Sequence, residues 1–266
     1  MSDKKLVLQA SDVSIVFGGL RAVSGFNCDL YEGELAGLIG PNGAGKTTMF
    51  NMLSGIYTPT EGQITFWDKK CKARNINKMS PNQLNRLGIA RTFQNIRLFG
   101  GLTVSDNVRI ALHSTRQSGI IDALFRTNKF RYDEERMTAK VEQLLELFHI
   151  ENKKDELARN LPYGEQRKLE IVRALASDPK LLLLDEPAAG MNPQETEDLM
   201  NMIAFIRKEF NLTILLIEHD MKLVMGICEK LMVLDYGKII AAGGPDEIKS
   251  NPQVIKAYLG SEAADA

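Results

Sequence analysis

Nine consecutive residues, Gly40-Pro41-Asn42-Gly43-Ala44-Gly45-Lys46-Thr47-Thr48, follow the almost wholly apolar run Leu35–Ile39 and fit the pattern G-x-x-x-x-G-K-S/T. Glycines at that spacing let a loop curl until successive backbone N–H groups point inward at phosphate oxygens. A helix opening at Lys46 adds the partial positive charge of its N-terminus at the same place. The chemistry is nucleoside-polyphosphate binding. Lys46 would be a point charge on the β- and γ-phosphates, and the Thr47 hydroxyl a ligand for Mg2+. A glycine-rich turn that only reverses the chain is the competing reading, and a strand leading in with a helix leading out argues against it.

Two carboxylates close a second apolar run. In Leu181-Leu-Leu-Leu-Asp185-Glu186-Pro187 the leucines bury a strand and leave Asp185 at its carboxyl end, where open α/β sheets bind ligands. Asp185 would hold Mg2+ there, directly or through water. Glu186 points the other way and can polarise an attacking water. A helix-capping Asp-Glu pair is the plainer alternative. His219, in Glu218-His219-Asp220, follows another apolar run and is placed to hydrogen-bond the γ-phosphate and orient the water. Elsewhere a lone histidine at a strand end is more often structural. Gln94, after the strand-like Gly88–Thr92, offers a neutral amide that can ligate Mg2+ and swing with its loop. Leu161-Pro162-Tyr163-Gly164-Glu165-Gln166 runs straight into a helix, a second N-terminus suited to an anion. Because the chain has one phosphate loop, that second end suggests a site shared between two subunits, against simple helix capping.

These groups need a scaffold, and the pattern supplies one. Short β-rich runs, Leu6–Ala10, Val13–Phe17, Phe26–Tyr31 and Gly62–Trp67, are separated by turn signals at Gly18-Gly19 and Glu32-Gly33, as antiparallel strands would be. A helix is expected over Lys46–Leu53. Helical spacing returns at 103–113 and at 134–149, where Met137, Val141, Leu144, Leu145 and Phe148 share one face. Residues 114–133 show no period. The stretch 95–165 reads as a mostly helical insertion in a single domain spanning 1–266. The last third alternates strands at Leu181–Asp185 and Thr213–Ile217 with a helix at Gln194–Phe210, then a hairpin turning at Asp235–Gly237. That order predicts an α/β fold with a largely parallel, doubly wound sheet.

Composition fits this picture. A net charge of -1 over 266 residues gives no footprint for nucleic acid, and 44% hydrophobic with 25% charged residues is ordinary for a globular chain. No apolar run approaches the ~18 residues of a membrane-spanning helix, and the N-terminus lacks a signal-peptide core. Cys28, Cys71 and Cys228, widely spaced and odd in number, read as free thiols in a reducing cytosol.

Together the ordered motifs resemble the ATP-binding cassette family over nearly the whole chain. Gly40–Thr48 matches Walker A, Gln94 the Q-loop, Leu161–Arg167 the family signature, Asp185-Glu186 the Walker B pair and His219 the switch histidine. The resemblance implies a P-loop NTPase core of mixed, largely parallel sheet, an antiparallel β subdomain and an inserted α-helical subdomain. It implies ATP and Mg2+, and Phe17 stacked on adenine. Finer matches in Phe17–Val23, Arg91–Phe99, Asp185–Pro193, Ile217–Met225 and Asn251–Gly260 are similar to ATP-binding subunits of branched-chain amino-acid importers. Cassettes for urea or short-chain amides are close cousins.

The implied partners are a second cassette, identical or related, and transmembrane permease subunits, with a solute-binding protein acting indirectly. The implied location is the cytoplasmic face of the inner (plasma) membrane, as a peripheral subunit. A soluble cassette acting on ribosomes or DNA usually fuses two cassettes or carries a coiled coil, and neither is written here. An inactive regulatory cassette fits poorly with Lys46, Asp185, Glu186 and His219 in place.

Two departures from the family pattern stand out. Pro162 replaces the serine that donates to the partner's γ-phosphate, a contact worth about 1.5–3 kcal/mol, and Tyr163 replaces a glycine. Asn192 replaces the usual aspartate of the D-loop, keeping the hydrogen bonding and dropping a charge.

Overall fold

The computed structural model describes residues 5–113, 119, 122 and 124–262. It forms two compact units, one made of the chain up to Gln94 and from Lys180 onward, the other Asn95–Pro179. The first unit opens with β1 (Leu6–Phe17), β2 (Leu20–Tyr31), β3 (Leu35–Ile39), α1 (Lys46–Leu53), β4 (Glu61–Trp67), β5 (Ala73–Asn75), α2 (Pro81–Leu87) and β6 (Ile89–Arg91). The second unit carries α3 (Val104–Leu112), α4 (Asn128–Leu147) and α5 (Tyr163–Ala176). The first then resumes with β7 (Leu181–Asp185), α6 (Pro193–Glu209), β8 (Thr213–Ile217), α7 (Met221–Ile227), β9 (Lys230–Asp235), β10 (Lys238–Gly243), α8 (Pro245–Lys249) and α9 (Pro252–Glu262).

Two sheets result. An antiparallel sheet runs β2-β1-β4-β5, and a mixed sheet runs β10-β9-β3-β8-β7-β6. Within the mixed sheet only β10 is antiparallel to its neighbour. Every residue of β3, β7 and β8 is buried, as strands covered on both faces require. Leu38 pairs with Ile217 and Ile217 with Asp185, so these strands end at one level. The chain segments after them, Gly40, Glu186 and Glu218-His219, therefore leave the sheet along one edge. The core against the antiparallel sheet is packed by Phe26, Phe50, Phe66 and Met49 with Leu183 and Leu215.

Two local expectations change. Leu6–Ala10 and Val13–Phe17 are halves of one strand, not two. Asp12 sits at φ 49° and the pairing slips between Ala10 and Val13, so the polar Ser11-Asp12 marks a bulge. The helix expected from 134 begins at Asn128, where the Thr127 hydroxyl accepts the Phe130 N–H at 3.4 Å. Residues 114–118, 120, 121 and 123 of the stretch without a period lie outside the described residues.

In the helical unit the segment after Gln94 is pinned by buried polar groups. Arg167 is fully buried; its Nη1 donates to Glu170 Oε2 at 2.9 Å, and its Nη2 donates to the Tyr163 hydroxyl at 3.3 Å. Glu170 Oε1 accepts the Arg97 N–H at 3.3 Å, and Arg173 donates to the Arg97 carbonyl at 2.6 Å. The fully buried Asn107 accepts the Phe99 N–H at 2.9 Å and donates to the Phe99 carbonyl at 3.1 Å. Removing one member of a buried ion pair strands the other charge, at about 3–5 kcal/mol. Glu170→Ala should lose that much in urea unfolding. Arg167→Met with Glu170→Leu should recover most of it.

Candidate active site

The phosphate loop is shaped from outside by its neighbours. Gly40 has φ 151°, and a Cβ there would fall onto the Leu234 carbonyl oxygen. Gly45 caps α1 at φ 102°, and a Cβ there would stand 2.8 Å from the Ala22 carbonyl oxygen. The Ala44 carbonyl accepts the Gly237 N–H at 2.9 Å, joining the loop to the β9–β10 turn. The Tyr258 hydroxyl of α9 is buried beside the Gly40 backbone. Lost solvent pushes its phenol up to about 12, and the Gly40 N–H works against that rise. Lys46 is buried, and its ammonium donates to the Gly40 and Pro41 carbonyls at 2.7 and 2.9 Å. Burial lowers its pKa, and the negative charge of Glu186 opposes the fall. Thr47 is exposed at the start of α1.

Past the end of β7 the two carboxylates part company. Asp185, 4% exposed, accepts from Arg91 Nη2 at 2.6 Å. Glu186 turns through a left-handed φ of 44°, held by its N–H on the Ile217 carbonyl at 2.9 Å. Its Oε2 then accepts from Gln94 Nε2 at 2.8 Å and lies 3.6 Å from His219 Nδ1. Gln94 and His219, both far from Glu186 in sequence, thus converge on its carboxylate. Glu218 is fully buried; its Oε1 accepts the Ala188 N–H at 2.7 Å and its Oε2 the His219 N–H at 3.2 Å. It ties the turn after Glu186 to the turn carrying His219. Neither Arg91 nor Glu218 was picked out from the sequence. The available signal was a charged residue abutting a buried apolar run in each case.

Oxygen donors available for a metal are the Thr47 hydroxyl, the Asp185 carboxylate and the Gln94 amide. Among the described residues no three of His, Cys, Asp and Glu cluster as an all-protein cage. One carboxylate beside a phosphate loop would suit Mg2+ held jointly with nucleotide phosphates. Phe17, at the end of β1, is exposed and meets the Tyr57 ring edge-on at 5.2 Å between centroids. In the helical unit Pro162 precedes α5 without a side-chain cap, and Tyr163 lies 5.9 Å from the Arg167 guanidinium. Gln166 donates to the Leu161 carbonyl at 2.8 Å, and Glu165 pairs with Lys153. Gly164 lies in the first turn of α5. Asn192 caps α6 by accepting the Glu195 N–H at 3.0 Å.

The pattern of the ABC transporter family matches residues 23–189. The chain belongs to the ABC transporter family. As a member it is an ATP-binding cassette that hydrolyses ATP for transport. A further pattern, that of the branched-chain amino acid ATP-binding cassette transporter, matches residues 238–264. The chain is 44% identical over 254 residues to LivG of Escherichia coli, a high-affinity branched-chain amino acid transport ATP-binding protein, covering 96% of this chain and 98% of that one. BraF of Pseudomonas aeruginosa, with the same description, gives the same identity and coverage. Among solved structures, an ABC transporter cassette in its ADP conformation superposes with a TM-score of 0.82 at 29% identity, over 96% of this chain and 99% of that one. No described helix is long and apolar enough to cross a membrane.

Burial raises the Glu218 pKa from its ordinary 4.5, against the lowering pull of the Ala188, Asp220 and His219 N–H groups and of the His219 charge. A carboxyl whose folded pKa lies above its unfolded one binds more protons in the fold, so stability falls as pH rises from about 4.5 through the raised value. Urea unfolding across pH 4.5–8 should show that fall, and Glu218→Gln should flatten it.

Proposed function

We propose that this chain is the ATPase subunit of an importer for branched-chain, hydrophobic amino acids. It would sit as a peripheral subunit on the cytoplasmic face of the plasma membrane, one cassette domain spanning 1–266. The observation that carries the solute class is the near full-length 44% identity to LivG and BraF, together with the tail pattern at 238–264.

In this reading Gly40–Thr48 wraps the phosphates, and Lys46 exchanges its loop carbonyls for phosphate oxygens. Thr47, Asp185 and Gln94 would hold Mg2+, which when bound would supply positive charge to offset that of the phosphates. Glu186 accepts the proton of the attacking water. Gln94 positions that carboxylate through its amide, and His219 steadies the γ-phosphate beside it. Phe17, backed by Tyr57, stacks on the adenine. Leu161–Gln166 faces the nucleotide of a second cassette, with Pro162 contributing no hydroxyl there. Phe99 is half exposed, while its backbone is fixed by Asn107 and its ring lies 5.8 Å from the Arg173 guanidinium. It presents a firm apolar foothold for a cytosolic helix of a permease subunit.

Glu186→Gln should bind ATP and hydrolyse it about 10²–10⁴-fold more slowly, with a two-cassette species accumulating on gel filtration in ATP. Near-normal turnover would move the base elsewhere. The solute is tested on the intact membrane complex: binding protein loaded with leucine, isoleucine or valine should stimulate its ATPase. Stimulation by urea- or amide-loaded protein alone would reassign the solute.

A further inference from the structure

Arg91 stands on β6, three residues before Gln94, with a side chain only 6% exposed. Its guanidinium reaches three places at once. Nη2 donates to Asp185 Oδ2 at 2.6 Å, at the end of β7. Nη1 donates to Asn51 Oδ1 at 2.8 Å and to Ser54 Oγ at 2.6 Å, at the carboxyl end of α1. The rings of Phe50 and Phe93 lie 5.7 and 5.0 Å from the guanidinium carbon. A charge this deep is retained only against a compensating partner, and Asp185 is the anion it meets. Among the described residues Arg91 is the hydrogen-bond donor to the Asp185 carboxylate, and it occupies one oxygen, Oδ2.

The two acceptors on the other nitrogen decide what this does. Thr47 opens α1, whereas Asn51 and Ser54 lie at its far end. One planar fork therefore sets the helix that carries the Thr47 hydroxyl against the strand that carries the Asp185 carboxylate. We propose that Arg91 is a positioning residue for the metal: it holds Asp185 by Oδ2, leaves Oδ1 for Mg2+, and fixes Asp185 relative to Thr47. This rests on the reading of Thr47 and Asp185 as ligands of Mg2+ with bound nucleotide. Lysine, a point charge without the fork, reproduces the charge and not the three-way geometry.

The experiment titrates a fluorescent ATP analogue into wild type, Arg91→Gln and Arg91→Lys, in EDTA and over a series of Mg2+ concentrations, with thermal melting as the check on folding. Wild type should bind more tightly with Mg2+. Arg91→Gln should keep its metal-free affinity and need about 10–100-fold more Mg2+ to reach half of the gain, the range seen when a partner of a metal ligand is removed. Arg91→Lys should fall between the two. A folded Arg91→Gln with the wild-type Mg2+ midpoint would overturn the proposal, as would an equal loss of affinity in EDTA. If Arg91→Gln does not fold, the midpoint of Arg91→Lys decides on the same terms. A wild type indifferent to Mg2+ would remove the metal reading itself, and the inference with it.

Discussion

Three strands with no solvent-facing residue, β3, β8 and β7, lie side by side in parallel and end at one level. Burial on both faces makes their register unforgiving, because a slip of one residue would drive the groups that follow into the sheet. The turns beyond them are placed by that packing together with hydrogen bonds, the Glu186 N–H on the Ile217 carbonyl and the Ala188 and His219 N–H groups on Glu218 among them. The phosphate loop leaves β3, the carboxylate pair leaves β7, and the histidine leaves β8. The candidate site is thus hung on strands buried on both faces.

Charge is arranged around that edge in opposing ways. Asp185 is held by a buried cation, whereas Glu218 is buried with backbone N–H groups as its hydrogen-bond donors. Burial of Glu218 favours its neutral form. Glu186, between them in the chain, takes neutral and titratable partners in Gln94 and His219. Adjacent acids in one short segment thus receive different surroundings, which is how neighbouring carboxyl groups come to do different work.

Much of this was legible in the residues. Phosphate loops announce themselves because glycine spacing, a lysine and a following hydroxyl are a local code, read within nine positions. Asp185 and His219 were legible because an apolar run has to end somewhere, and the sheet decides where that end points. Arg91 was not, because its partners lie 94, 40 and 37 residues away and nothing local names them. The start of α4 hid for another reason: its first turns, Asn128–Glu134, carry mostly polar side chains, so the apolar period begins only where the helix meets its neighbours. Leu6–Ala10 and Val13–Phe17 read as two strands because the polar Ser11-Asp12 interrupts the apolar run, and in the fold that interruption is a bulge.

The end of the chain returns to its beginning. Tyr258 belongs to the stretch matched by the branched-chain pattern, and Gly40, which it lies beside, belongs to the stretch shared by the whole family. Gly40 is thus one place where specialised tail and common engine meet. Divergence along the last helix can shift the footing of the phosphate loop while leaving every residue of that loop unchanged. Cassettes with identical motifs need not, for that reason, grip a nucleotide identically.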